Sequence, residues 1–226
     1  MTAGAPVVLK PDAGGLDEAI ALLAAGEIVA APTDTVYGIA ARLERPRALQ
    51  HLFLAKGRPE AKAIPILLSD ADIVSMLSSD PMALMAFAET FWPGALTVVT
   101  SARPGLPSEV ITLGDEGQET IALRLPDNDI MRTLCRRSGG ALAVTSANTS
   151  GEAPATSAAA ILDSRLPHLA AIVDGGDTPG PLPSTIVSVA GPDLCVIREG
   201  VIPVESVTAV WRDVHERSEM RGMISQ

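Results

Sequence analysis

Apolar and polar positions along this chain follow two periods, and the switches between them outline the elements. Leu16, Ala19, Ile20 and Leu23 share one helical face, and Gly26 supplies the stop. Residues 28–31 form a short apolar run closed by Pro32, the pattern of a buried strand feeding a turn, and the loop Pro32, Thr33, Asp34, Thr35 follows. Leu49, Leu52 and Phe53 repeat at helical spacing up to Gly57 and Pro59, which puts Lys56 and Arg58 at a helix exit. The pattern then predicts a strand over 64–68, helices over 71–77 and 82–91, and strands over 95–100 and 120–125.

Further on, 130–137 reads as helix, with Gly139 and Gly140 as its stop, and 141–145 as strand, with Ser146, Ala147 and Asn148 turning out of it. Residues 157–162 read as helix, 170–173, 185–189 and 194–197 as strands, and 204–214 as an amphipathic helix before a frayed tail. Short strands alternating with helices predict an α/β domain (α+β in some schemes). The close spacing of the last strands favours a twisted mixed β-sheet flanked by helices. No internal repeat and no Pro, Gly or Ser linker divides the chain, so a single domain is expected.

Composition narrows the picture. At 226 residues and 47% hydrophobic, the chain has ample interior for one core, which must be aliphatic because only 3% of residues are aromatic. A net charge of −10 argues against a chain-wide footprint for nucleic acid. Two cysteines, Cys135 and Cys195, suit a reducing cytosol, and with no run of bilayer length a cytoplasmic protein away from membranes is expected.

Polar residues gather where the apolar strands end: Thr33 and Thr35, Lys56 and Arg58, Arg124, Ser146 and Asn148, Ser184 and Thr185, and Arg198. Strand ends of open α/β sheets form ligand crevices. If these groups converge, their cations and hydroxyls suit a phosphorylated ligand with a carboxylate nearby, and hence phosphoryl or nucleotidyl transfer. Each also has a purely structural reading. Lys56 and Arg58 complement a helix dipole. Arg124, inside an apolar run, needs either a salt bridge or an anionic ligand. Ser146 and Asn148 suit a turn, and Arg198 suits an ordinary surface. Spacing alone leaves these alternatives open.

Other patterns are absent or bland. There is no GxxxxGKS/T, GxGxxG or HExxH run. His51, His168 and His215 stand apart with no second ligand at metal spacing, so packed or solvated histidine is expected. Cys135, beside Arg136 and Arg137, reads as core packing over an activated thiol. Residues 114–117 read as a lid-like loop by composition.

Taken in order, Pro32-Thr33-Asp34-Thr35-Val36-Tyr37-Gly38, Ala55-Lys56-Gly57-Arg58-Pro59, Trp92-Pro93-Gly94, Ala122-Leu123-Arg124-Leu125-Pro126, Ser146-Ala147-Asn148, Asp174-Gly175-Gly176, Ser184-Thr185-Ile186 and Arg198-Glu199-Gly200 form a recognisable set. It resembles the YrdC-like family of L-threonylcarbamoyladenylate synthases. The resemblance runs over residues 7–207 and leaves 208–226 as a helical end and tail. It implies the YrdC-like fold in a short form, without the extra C-terminal domain of longer relatives. The activity it implies is a nucleotidyltransferase that joins L-threonine, bicarbonate and ATP, with Mg2+ bridging the phosphates, into threonylcarbamoyl-AMP and pyrophosphate. A tRNA-modifying threonylcarbamoyl transferase complex then consumes the product, with weak or no direct nucleic-acid binding by this chain. An RNA-binding or ribosome-maturation module, or a divergent paralogue with another carbamoyl acceptor, is the alternative.

Carried over by resemblance, Lys56 and Arg58 match the KxR motif that holds the ATP phosphates. Thr120, Ser146, Asn148 and Arg198 match nucleotide positions, and Thr33, Thr35, Arg124 and Ser184 match positions around the amino acid. No protein side chain is implied as a metal ligand. One departure stands out: the position where many relatives carry histidine reads Leu67, with Lys62 nearby as a compensating charge, which leaves amino-acid selectivity open.

Overall fold

The structure is a computed structural model that describes residues 5–57, 63–114, 117–180 and 182–213. Along the chain run β1 (Val7–Leu9), α1 (Ala13–Ala25), β2 (Ile28–Ala31), β3 (Gly38–Ala41), α2 (Pro46–Lys56), β4 (Ile66–Leu68), α3 (Val74–Leu77), α4 (Pro81–Phe91) and β5 (Leu96–Ser101). There follow β6 (Thr112–Leu113), β7 (Glu119–Arg124), α5 (Asp129–Arg137), β8 (Ala141–Ser146), α6 (Ala158–Ser164), β9 (Leu169–Val173), β10 (Thr185–Ser188), β11 (Cys195–Arg198) and a closing helix over 204–213.

Helix ends fall where local chemistry dictates. Asp12 accepts a hydrogen bond from Gly15 N at the start of α1, and Gly26 ends it at φ 88°, a left-handed turn that glycine adopts without strain. Asn128 and Ser157 cap α5 and α6 in the same way as Asp12. Three strands escaped the pattern reading, β1, β3 and β6, each four residues or fewer. The expected helix over 71–77 is a 3-10 turn followed by the single turn α3. The expected tail beyond the closing helix and half of the proposed lid, residues 115–116, lie outside the described residues.

The strands form one mixed sheet in the order β1-β9-β2-β3-β8-β4-β7-β5-β10-β11, with β6 added on β7. Its two faces have different fates. Ile39, Ile66, Leu68, Leu96, Val98, Ile121, Leu123, Ala143 and Val187 point to the main core, against which Trp211 of the closing helix also packs, stacked on Phe87 at 6.0 Å. The intervening residues face the other way. Under α1 and α5 this second face is apolar, through Val29, Ala31, Ala40, Leu142, Ala171 and Val173. Toward β7, β5 and β10 its residues turn small or polar, and there it lines an open cleft. No helix among the described residues is long and apolar enough to cross a membrane.

Candidate active site

The cleft is a cavity of about 890 Å³ over that second face. Its floor is read directly from strand alternation: Thr120, Ala122 and Arg124 of β7, Thr97 and Val99 of β5, Ile186 and Ser188 of β10, and Val144 and Ser146 of β8 all line it. Register aligns Val99 with Ala122, Thr97 with Ile186, and Leu67 with Arg124. Gly38 of β3 pairs with Ser146, and a Cβ there would fall 2.5 Å from Val144 Cγ1, so the strand needs glycine for its close approach.

One group of polar residues surrounds Arg124, which is buried at 5% exposure. Its Nη2 donates to Asp34 Oδ1 at 2.6 Å, Nη1 to Thr35 Oγ1 at 3.1 Å and Nε to the Gly94 carbonyl at 2.9 Å. Burial lowers its pKa from the ordinary arginine value, and the Asp34 carboxylate opposes that shift. Thr33 builds the loop that delivers Thr35: its hydroxyl donates to the Val36 carbonyl and accepts from the backbone N–H groups of Thr35 and Val36. On the neighbouring strands Thr97 Oγ1 and Ser184 Oγ are 2.8 Å apart. Arg198 grips the same serine, with Nε and Nη2 on the Ser184 carbonyl at 3.1 and 2.8 Å. Burial, then the positive charge of Arg124, lowers the Arg198 pKa.

The second group gathers at the end of β8. Lys56, the last residue of α2 and only 5% exposed, donates from Nζ to Ser146 O at 2.9 Å, Ser146 Oγ at 3.1 Å and Asn148 Oδ1 at 2.7 Å. Asn148 Nδ2 in turn donates to the carbonyls of Thr149 and Glu152. Lys56 is therefore no surface complement to a helix dipole, and the turn reading of Ser146 and Asn148 holds together with their place in the cleft.

Tyr37 ties these parts together. It is fully buried; its hydroxyl donates to Gly176 O at 2.8 Å and accepts from Gly175 N at 3.2 Å. Its backbone bonds Ala155 and Ala147, which flank the Asn148 turn.

The cleft thus brings together Thr33, Thr35, Lys56, Thr120, Arg124, Ser146, Asn148, Ser184 and Arg198. Arg58 and Lys62 lie outside the described residues. The Thr120 hydroxyl is engaged with the Thr112 carbonyl at 2.9 Å, holding β6 against the sheet as a wall of the cleft. Arg198 sits with Ser184 and feels the Arg124 charge, which joins it to the Arg124 group as much as to a nucleotide. Leu67, 4% exposed, lines the cleft beside Arg124 and also packs into the core under α5. Thr97 carried no role in the sequence reading; its place one position off the buried Leu96 and Val98, on the face of Val99, is the signal that marks it. Elsewhere, His51 and His168, far apart in sequence, stack with ring centroids 4.3 Å apart. No cluster of metal-ligating side chains occurs among the described residues. Cys135 is completely buried, which pushes its thiol up to about 12 and excludes an activated thiolate.

Comparison with known proteins agrees with this geometry. The chain is 35% identical over 88% of its length to the threonylcarbamoyl-AMP synthase of Bacillus subtilis, and spans 57% of that longer protein. It is 34% identical to a putative threonylcarbamoyl-AMP synthase of Mycobacterium tuberculosis, covering 87% of this chain and 88% of that one. Its fold superposes on Pyrococcus abyssi Sua5 complexed with L-threonine with a TM-score of 0.82 at 28% identity, covering 90% of this chain and 60% of the other. The profile of the Sua5/YciO/YrdC family, described as "Telomere recombination", matches residues 21–200, and this chain belongs to that family.

Proposed function

We propose that this chain is an L-threonylcarbamoyladenylate synthase, forming threonylcarbamoyl-AMP and pyrophosphate from L-threonine, bicarbonate and ATP. The observation that carries this reading is the division of one cleft into an arginine and hydroxyl cluster around Arg124 and a lysine-centred cluster at Ser146 and Asn148. The first suits an amino-acid carboxylate, the second a nucleotide phosphate chain. The relatives named as synthases, and the Pyrococcus abyssi protein complexed with L-threonine, support the same assignment.

In this reading the threonine amine adds to carbon dioxide with loss of a proton, or to bicarbonate with loss of water, and the resulting N-carboxylate attacks the α-phosphate of ATP with pyrophosphate leaving. The chain contributes positioning and charge neutralisation, which needs no histidine base. Thr35, Arg124 and Ser184 hold the amino acid; Lys56 and Arg58 hold the phosphates; Thr120, Ser146, Asn148 and Arg198 line the nucleotide side. Mg2+ enters with ATP as part of the substrate. The sole carboxylate lining the cleft among the described residues is Asp193, so the phosphates themselves are the natural ligands of that ion. The product would pass, in the cytoplasm, to the transferase that modifies tRNA.

The test is pyrophosphate release from MgATP with bicarbonate, comparing L-threonine, L-serine and no amino acid, with the adenylate identified by mass. Threonine-dependent release with the threonylcarbamoyl-AMP mass is expected. ATP binding without threonine-dependent release would assign the chain to another acceptor.

A further inference from the structure

The Arg124 guanidinium is held from behind by a carboxylate that does not face the cleft. Asp34 Oδ1 lies 2.6 Å from Arg124 Nη2, and the two side chains keep only 14% and 6% exposure. Arg124 lines the main cleft. Asp34 lines a separate cavity of about 460 Å³, which it shares with Asp127, Asn128 and Asp177, and Thr33 borders both. The ion pair therefore spans the wall between the two cavities, cation on the cleft side and anion behind it.

A guanidinium carries five N–H donors in a rigid planar fork. Among the described residues three are spent, Nη2 on Asp34 Oδ1, Nη1 on Thr35 Oγ1 and Nε on Gly94 O. One N–H on Nη1 and one on Nη2 remain. A guanidinium recognises a carboxylate through N–H donors whose directions are set by the plane of the group, so it binds well only when that plane is fixed beforehand. Thr35 and Gly94 are neutral acceptors. Asp34 is the charged partner and makes the shortest contact, so it dominates the orientation of the fork.

We propose that Asp34 is a positioning residue for the amino-acid substrate, fixing the plane of the Arg124 guanidinium from behind the cleft wall so that it presents its remaining donors to the incoming carboxylate. This rests on the synthase reading above. The alternative is an ion pair that serves folding alone, and the two differ in what a charge-removing substitution does to threonine and to ATP separately.

The experiment combines calorimetric binding of L-threonine with steady-state pyrophosphate release from MgATP and bicarbonate. The proteins are full-length wild type, Asp34→Asn, Asp34→Glu, Arg124→Lys and the Asp34→Asn/Arg124→Lys double variant. Asp34→Asn preserves shape and one acceptor oxygen while removing the charge. It is expected to weaken threonine binding and raise the threonine KM about 10- to 100-fold, with the KM for ATP changed less than about twofold. Asp34→Glu, which keeps the charge, recovers part of the loss. In the Arg124→Lys background the Asp34→Asn effect shrinks to within about threefold, because the two residues act as one unit. Threonine affinity of a folded Asp34→Asn within about twofold of wild type, or a parallel loss for ATP, would overturn the proposal. If Asp34→Asn does not fold by circular dichroism, Asp34→Ser, which also removes the charge and keeps an oxygen at the position, carries the same comparison of threonine against ATP. A wild-type protein that neither binds threonine nor releases pyrophosphate with it defeats the synthase reading itself, and the positioning role falls with it. A wild type that does both while Asp34 variants are unaffected defeats the positioning role alone.

Discussion

Lys56 Nζ and Asn148 Oδ1 meet at 2.7 Å inside the fold, joining the end of α2 to the turn after β8. With the two further bonds to Ser146, this makes Lys56 both a cation lining the cleft and a brace for the turn. Lys56→Met keeps the unbranched stem of the side chain, one atom shorter, and removes its donors. The Asn148 and Ser146 oxygens then lose their lysine partner, which costs about 1–3 kcal/mol for each buried group left unsatisfied. The expected result is a lower urea midpoint at unchanged m-value together with loss of adenylate formation. Full stability with lost activity would mean that the brace has no structural weight.

Tyr37 is the one tyrosine of the chain, so its ionisation can be followed without labels. Burial raises its pKa above the ordinary phenol value of 10.0, with the backbone bond from Gly175 opposing and Asp174 and Asp177 reinforcing the rise. An acid whose native pKa is raised deprotonates at higher pH than in the unfolded chain, so its ionisation favours unfolding. The phenolate absorbance of the folded protein should therefore appear above its model-peptide pH, and urea-unfolded protein should titrate lower. Tyr37→Phe removes the bonds to Gly175 and Gly176 and should cost about 1–2 kcal/mol. A phenolate that forms at the ordinary pH in folded protein would contradict this burial.

The two cysteines should separate cleanly. Cys195 is exposed on β11 and lines the cleft; Cys135 is fully buried, its thiol pushed up to about 12, with Sγ donating to the Leu67 carbonyl at 3.4 Å. Under native conditions a thiol reagent should modify Cys195 alone, with Cys135 following only on unfolding. ATP should slow the reaction at Cys195 if nucleotide fills the cleft. Native labelling of Cys135, read by peptide mapping, would refute the packing under α5.

Much of this architecture was legible because burial and alternation leave marks in sequence. The helix ending at Gly26, the strand Ile28–Ala31 and the polar residues at strand ends all emerged from pattern alone. The strands that escaped are short. In β3 the run Gly-Ile-Ala-Ala is buried on both faces, so it lacks the polar alternation that reveals a half-buried strand. The choice between salt bridge and ligand at Arg124 could not be made from spacing, because it turns on Asp34, 90 residues away in sequence, which takes one edge of a guanidinium that also lines the cleft. The stacking of His51 on His168 was equally hidden, since it depends on how α2 packs near the turn before β9.

That histidine pair gives the protein a pH dependence of predictable sign. His51 has its pKa lowered, first by burial, then by His168 and by Arg47, with Glu27 opposing, and its Nδ1 is buried with no hydrogen-bond partner among the described residues. A histidine with a lowered folded pKa is neutral in the native state and takes up a proton more readily when unfolded. The unfolded chain then binds more protons below about pH 6.5, so this contribution to stability is complete above that pH and is lost as pH falls through the folded value. His51→Phe keeps an aromatic ring against His168, removes the titrating group and removes the unpartnered nitrogen. Its urea midpoint should match or exceed that of wild type at neutral pH, by about 1 kcal/mol at most, and should fall less steeply on acidification. Parallel pH profiles for the two proteins would show that the stacked pair carries none of the acid sensitivity. A steeper profile for the variant would reverse the sign argued here.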